Sequence, residues 1–321
     1  MKISVIIPVR NEETSIGDLI NALLNQTLKP AEIVITDGGS SDATPAIISE
    51  FIASGAPVRL LRETAALPGR GRNLAAAQAA NEWLAFVDAG TSPEPDWLEL
   101  LARCVQSTDN VDVVYGSYAP IANTLFKRCA VMAYVTPPVL IEKQLVWTRS
   151  VVSLLMRRSV WQAVGGFPEN LRSGEDLLFL NKIEQGSFRI ANAPAALVHW
   201  QVQPTPWLTF KRFVIYARNN MSAGLWRDWQ AAIFIRYFVV LICALPILFV
   251  GARWLPLTVL VWLLMLAARA AVRIWRNRAC FPVSVFESIS RMLVLVPLIA
   301  LLDAATFLGT LQWAVKDKFG L

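Results

Sequence analysis

Between Tyr237 and Ala268 the chain holds a single charged residue, Arg253, in 32 positions. A run of that length cannot coat a solvent-exposed surface, but it is long enough for two helices, each crossing a hydrocarbon layer of about 30 Å. Lys211, Arg212, Arg218, Arg227 and Arg236 precede it, and Arg269, Arg273, Arg276 and Arg278 follow it. Much of the basic excess behind the net charge of +6 therefore brackets one apolar hairpin. This is the pattern of a membrane hairpin with cytoplasmic basic flanks. A nucleic-acid surface would have no reason to enclose an uncharged stretch, so no nucleic-acid partner is expected.

The spacing predicts one span over Ile233 to Gly251, a turn at GARWLP, and a second span over Trp254 to Val272. Ser290 to Val315 is a third candidate, interrupted by Pro297 and Asp303. An intramembrane Asp marks either a functional site or a helix lying in the interface, and both readings stay open. The 321 residues thus divide into a first domain over 1–228 and a membrane region over 229–321 with two to three hydrophobic helices. Lys2 is followed only by ISVIIPV before Arg10, Asn11, Glu12 and Glu13, with no cleavage-site pattern, so the first domain is expected to face the cytoplasm from the inner membrane. Cys104, Cys129, Cys243 and Cys280 form no CxxC pair and read as reduced packing residues.

The first domain alternates strand and helix signals. Ile3–Val9, Glu32–Thr36, Val58–Leu61 and Trp83–Val87 are apolar runs of strand length, and Ile16, Leu19, Ile20, Leu23 and Leu24 repeat at helical spacing. Ile47, Ile48, Phe51 and Ile52 do the same behind Thr44 and Pro45, and Asn73–Ala80 is helix-prone. Such alternation predicts an α/β fold with a mainly parallel, Rossmann-like sheet and helices on both faces. Ligands of such sheets sit beyond the carboxyl ends of the strands. Three strand ends deliver polar groups there: Arg10, Asn11 and Glu12 after the first, Asp37 after the second, and Asp88 after the fourth. There is no GxGxxG after the first strand and no GxxxxGK[ST], which removes the main support for a dinucleotide oxidoreductase or a P-loop kinase. A phosphate would instead need Arg70 and Arg72 of PGRGRN, or a cation held by carboxylates.

The order VIIPVRNEE at 5–13, ITDGGSSDAT at 35–44, GRGRNLAAAQAANEWLAFVDAGT at 69–91 and GGFPENLRSGEDLLF at 165–179 resembles the family 2 glycosyltransferases of GT-A fold. The resemblance covers roughly residues 1–200 and implies a nucleotide-sugar donor, with a UDP-sugar expected, a divalent metal (Mg or Mn), and inversion at the anomeric carbon. It implies that Pro8, Arg10, Asn11, Glu12, Asp37, Gly39 and Ser40 hold the nucleoside side of the donor. Arg70 and Arg72 approach the diphosphate, and Asp88, Ala89 and Gly90 stand at the metal motif. That motif departs from the family's acid, any residue, acid pattern: Gly90 replaces the second acid. The metal then rests on Asp88 and the diphosphate, with His199 as a further ligand or as an ordinary domain-edge histidine. An acid placed at 90 is expected to tighten the ion unless the small residue makes room for the sugar. Gly38 likewise stands where many members carry a second acid after Asp37.

By the same resemblance Asp176 is the general base that deprotonates the acceptor hydroxyl, and Glu175 orients the acceptor or its partner. Read from the residues alone, both are also acids suited to a helix N-terminus. The processive synthases' QxxRW motif is missing from LTFKRFVIYARNNMSAGLW, which favours transfer of one sugar to a hydroxyl of a lipid or lipid-linked acceptor. Two other readings remain: a polyprenyl-phosphate glycosyltransferase, whose acceptor needs no base, and a noncatalytic membrane scaffold. Ala119–Thr148 lacks clear periodicity and is expected to supply acceptor contacts or a mobile lid.

Overall fold

The computed structural model describes residues 1–141, 143–282 and 284–318. Its first half keeps strict alternation: β1 Ile3–Val9, α1 Ile16–Leu24, β2 Glu32–Asp37, α2 Thr44–Ala53, β3 Val58–Arg62, α3 Pro68–Gln78 and β4 Trp83–Phe86. Then follow β5 Thr91–Pro93, α4 Trp97–Ser107, β6 Val113–Ile121, α5 Leu125–Tyr134, β7 Val139–Ile141, β8 Gln144–Thr148, β9 Leu154–Arg157, α6 Arg158–Ala163, α7 Glu175–Gln185 and β10 Ile190–Gln201. The sheet runs β3-β2-β1-β4-β9-β6-β10-β5. The expected parallel arrangement holds for β3-β2-β1-β4. Beyond β4 the sheet is mixed, because β9 runs antiparallel to both β4 and β6 while β10 is parallel to β6.

Both faces of the sheet are covered, as a near-continuous apolar strand requires. Ile3, Val5, Ile7 and Val9 of β1 pack on one face with Ile16, Leu19, Ile20 and Leu23 of α1 and with Trp97, Leu98 and Leu101 of α4. Ile6 faces the other side, with Ala75 and Ala76 of α3 and Phe179, Leu180 and Ile183 of α7. The period-two alternation of β1 thus supplies two cores at once.

Chain contacts define two compact units, one of residues 1–121 and 138–201, the other of 122–137 and 202–318. The second holds α5, α8 Pro206–Ser222, α9 Trp226–Trp229, α10 Ala231–Ala244, α11 Ile247–Val250, α12 Leu255–Arg276 and α13 Val285–Gln312. Its core joins Cys129, Met132 and Ala133 of α5 to Leu266 and Ala270 of α12 and to Leu295, Leu298 and Leu302 of α13. Part of the stretch 119–148, which has no clear period in the sequence, is therefore a helix packed among apolar helices, and part is the β7–β8 hairpin. Among the described residues, three helical segments are long and apolar enough to cross a membrane: Ala231–Val250, Ala252–Arg276 and Phe286–Lys318. The third runs straight through Pro297.

The strand ends of the first unit are laced together by their loops. Asp37 is buried, and its Oδ1 accepts from the Ser40 amide at 2.9 Å and the Ser40 hydroxyl at 2.6 Å. Ser40 Oγ in turn accepts the Asn11 amide at 2.9 Å, Asn11 Oδ1 accepts the Ser41 amide at 2.8 Å, and Thr44 Oγ1 accepts the Glu12 amide at 2.8 Å. Gly38 lies against this weave: a Cβ there would come within 2.6 Å of the Ala66 carbonyl oxygen. That contact explains why the second acid after Asp37 is absent here. Gly38→Asp, which restores the commoner acid pair, is expected to cost about 1–3 kcal/mol through overpacking against backbone. Urea unfolding of the solubilised protein checks the loss.

Candidate active site

The loops after β1, β2 and β4 and the first turn of α3 enclose a cavity of about 400 Å³. Pro8, Arg10, Asn11 and Glu12 line it after β1, Ala66, Leu67, Pro68, Gly71 and Arg72 around the start of α3, and Asp88 and Ala89 after β4. The site therefore sits beyond the carboxyl ends of β1 and β4, where the connectivity of a parallel sheet places it. Seven expected residues meet in it: Pro8, Arg10, Asn11, Glu12, Arg72, Asp88 and Ala89. Asp37 and Ser40 lie behind the wall. Asp37 Oδ1 is committed to Ser40. Gly39, at φ +84°, supplies the turn between them.

Arg70 and Arg72 part company because PGRGRN is a helix start, with Pro68 in the first turn of α3. Residues two apart on a helix point about 200° away from each other. Arg70 faces outward and pairs with Glu63 at 3.3 Å and Glu169 at 3.0 Å, and it does not line the cavity. Arg72 faces inward and is 4% exposed. Its Nη2 donates to Asp88 Oδ1 at 2.7 Å, its Nη1 donates to Glu175 Oε1 at 2.8 Å, and its plane lies 5.3 Å from the centre of the Phe167 ring. One guanidinium thus ties the end of β4 to the first turn of α7.

That turn carries Glu175 and Asp176 behind Gly174, whose φ of +84° brings the chain sharply into the helix. Acids in the first turn complement the helix dipole. Glu175 is buried, and its Oε2 and Arg72 Nε have no partner among the described residues. Burial pushes the Glu175 carboxyl above the usual carboxylate range against the pull of Arg72, and the neighbouring Asp176 charge pushes the same way. Although burial opposes it, Asp88 and Glu175 hold the Arg72 guanidinium above its ordinary value. Arg72 itself faces three carboxylates, Asp88, Glu175 and Asp176.

Two residues join the site without a signal that the sequence reading used. Arg172, in the loop before α7, lines the cavity and is exposed, with no ion-pair partner among the described residues. Tyr118 of β6 lies within electrostatic reach of Asp176, and burial together with that charge raises its phenol to about 12. Arg172 stands four residues before Asp176 in LRSGED, and that spacing was the available clue.

The metal motif supplies few ligands. Asp88 and Glu12 place two hard carboxylates on the cavity wall, and no group of three His, Cys, Asp or Glu side chains converges for a metal among the described residues. Magnesium needs only one or two protein carboxylates when phosphate oxygens and water supply the rest. His199 stands on β10 opposite Ser92, and its Nε2 meets Glu94 Oε1 at 2.6 Å. It does not line the cavity. Gly90 has φ +77°, and a Cβ there would lie 3.5 Å from Glu12 Oε2. A side chain at 90 would therefore be strained by the left-handed backbone, and an acid there would stand beside the Glu12 carboxylate.

Residues 4–163 match the family model "Glycosyl transferase family 2", and the chain belongs among the glycosyltransferases that this family comprises. Glycosyltransferase AglE of Haloferax volcanii is 29% identical over 217 residues, 66% of this chain and 70% of that protein. The poly(ribitol-phosphate) beta-N-acetylglucosaminyltransferase TarS of Staphylococcus aureus is 30% identical over 202 residues, 60% of this chain but only 34% of TarS. Among solved structures, TarS 1–349 in complex with UDP-GlcNAc superposes with a TM-score of 0.51 at 19% identity, covering 94% of this chain and 91% of that one. The mannosyltransferase PcManGT from Pyrobaculum calidifontis, in complex with GDP-Man and Mn2+, gives 0.55 at 18%, covering 97% and 86%. These likenesses establish the GT-A fold.

Removing the guanidinium tests the electrostatics. Arg72→Ala leaves Glu175 buried without its cation, at a cost of about 3–5 kcal/mol. Glu175 has a raised folded-state pKa, so the stability it contributes is present below the unfolded value and lost as pH rises through the folded one. Without Arg72 that folded value rises further. Denaturation curves should show a larger Arg72→Ala deficit at pH 8 than at pH 5; an equal deficit would contradict a buried charged Glu175.

Proposed function

We propose that the protein is a membrane-associated inverting glycosyltransferase that moves one sugar from a nucleotide-sugar, with UDP as the expected nucleotide, to a hydroxyl of a lipid or lipid-linked glycan. The observation that carries this reading is the Arg72 bridge, which joins Asp88 at the cavity end to the acid pair Glu175 and Asp176. A donor site and a candidate base are thereby held on one rigid frame.

In this reading the nucleoside lies along Pro8–Glu12, with Asp37 Oδ2 toward the base, and the diphosphate lies toward Asp88, Arg172 and the amide end of α3. A helix N-terminus and an unpaired arginine both favour an anion there. Asp88 and Glu12 would hold magnesium or manganese, which when bound offsets the charge that builds on the departing diphosphate. Asp176 accepts the acceptor's hydroxyl proton as the new carbon–oxygen bond forms at the anomeric carbon. The bond from that carbon to the diphosphate oxygen breaks on the opposite face, which inverts the centre. Glu175 stays with Arg72, keeps the first turn of α7 in place and adds negative charge beside the base. The QxxRW motif is absent from the sequence, consistent with a single transfer. Complexes of TarS with UDP-GlcNAc and of PcManGT with GDP-Man and Mn2+ support a nucleotide-sugar donor and a metal.

Membranes incubated with a panel of radiolabelled nucleotide sugars and then extracted into organic solvent should yield one labelled lipid product; label confined to released free sugar would count against a lipid acceptor. Asp176→Asn should lower transfer by roughly 100-fold or more, the scale of a lost general base, while donor affinity changes little. Transfer at the wild-type rate would remove Asp176 from that role. Chelator should abolish activity and magnesium or manganese restore it, whereas an unchanged rate of donor consumption in chelator would eliminate the metal.

In this reading the chemistry takes place at the inner membrane, with the catalytic domain and Arg269–Cys280 on the cytoplasmic side; the three apolar segments and their basic flanks support it. A cysteine introduced at Ala279 should resist a membrane-impermeant thiol reagent in intact cells, and one at Arg253 should react. Labelling of the Ala279 position from outside would reverse the topology.

A further inference from the structure

The apolar helices contain a charge cluster that the transfer chemistry does not use. Arg269 and Arg273 lie one turn apart on a single face of α12, and Arg276 continues the stripe. Arg236 of α10 approaches from the neighbouring helix, within electrostatic reach of both Arg269 and Arg273. Tyr237 accepts a hydrogen bond from Trp262 Nε1 at 3.2 Å and fixes α10 against α12. The one carboxylate in the cluster is Asp303 of α13, fully buried and engaged by both terminal nitrogens of Arg269. Asp303 is thereby accounted for, as the partner that holds α12 and α13 in register.

The remaining charge is unbalanced. Arg236 and Arg273 are half-buried and form no hydrogen bond or ion pair with any described residue. Cations in a membrane-spanning bundle are costly unless paired, and they mark ligand positions. At 1.5 Å per residue Arg236 stands about 8 Å inside the start of α10 and Arg273 about 5 Å inside the end of α12. Those two helix ends belong to the same side of the hairpin, so both guanidinium groups lie just beneath one membrane surface.

We propose that Arg236 and Arg273 bind the phosphate of a lipid phosphomonoester. Planar guanidinium forks match phosphate oxygens in geometry and charge. Of the three guanidinium charges left after the Arg269–Asp303 pair, that of Arg276 is exposed at the end of the stripe and those of Arg236 and Arg273 are half-buried; a phosphomonoester, with close to two negative charges at neutral pH, suits the half-buried two. The surroundings require the rest of the ligand to be apolar: Phe238 and Val239 of α10 and Val272 and Trp275 of α12 are exposed beside the arginines, at 61%, 51%, 47% and 62%. A phosphate attached directly to its lipid can sink to this depth, whereas a phosphate under a bulky headgroup is held higher. The site is independent of sugar transfer and would stand if the proposed acceptor were wrong.

The full chain in detergent micelles, examined by native mass spectrometry, provides the test. Dioleoyl phosphatidate should remain bound in preference to dioleoylglycerol, which has the same tails and no phosphate. Arg236→Gln/Arg273→Gln should weaken phosphatidate retention by about tenfold or more, given the strength of charge-assisted contacts, while Arg253→Gln, at the far turn of the hairpin, should not. Equal retention of the two lipids by the wild-type protein would overturn the site, whether or not the double variant folds. So would undiminished phosphatidate binding by a folded double variant, or displacement by inorganic phosphate that is indifferent to the lipid tail.

Discussion

Arg72 is the interaction on which the site depends. A buried guanidinium is tolerated only when its donors are matched, and here two of them reach carboxylates that arrive from distant parts of the chain: Asp88, 16 residues on, and Glu175, 103 residues on. Removing either acid leaves charge without its partner in a low-dielectric setting, where the loss is larger than the net worth of the pair. The excess of acid around Arg72 is functional in the proposed chemistry, because an acceptor proton is drawn toward negative charge. Burial, with the Asp176 charge beside it, holds Glu175 above its ordinary carboxyl range.

The loops around the cavity are tied together by side-chain oxygens that accept backbone amides. Asp37, Ser40, Asn11 and Thr44 use their polar atoms on neighbouring loops. The strand ends are thus fixed before any ligand arrives, and the groups facing the cavity are preorganised. Gly38 and Gly90 follow from the same economy of space. One admits the Ala66 carbonyl, and the other takes a left-handed turn beside Glu12. The departures from the commoner acid patterns therefore have local steric and electrostatic reasons.

The alternating half of the fold was legible in the sequence because β1, β2 and β4 are buried on both faces and their apolar runs are nearly continuous. Helix α7 was legible through its acidic first turn. The start of α3 was not: PGRGRN has the composition of a loop, and only Pro68 at the helix start signals otherwise. That register decides which arginine enters the site, so Arg70 and Arg72 looked equivalent until it was known. β9 escaped notice because its antiparallel insertion between β4 and β6 is a long-range pairing with no local pattern. Asp303 was visible as an oddity in an apolar helix, but its partner Arg269 lies 34 residues away, beyond any helical spacing.

The central claim is that Arg72 positions the catalytic acids and does not itself bind the diphosphate. A structure of the protein with a bound nucleotide-sugar tests it directly. The account predicts a nucleotide between Pro8–Glu12 and Ala66–Gly71, its diphosphate beside Asp88 and Arg172, and Arg72 still bridging Asp88 and Glu175. A complex in which Arg72 has left Glu175 to pair with the diphosphate, or in which the nucleotide lies outside this cavity, would contradict it.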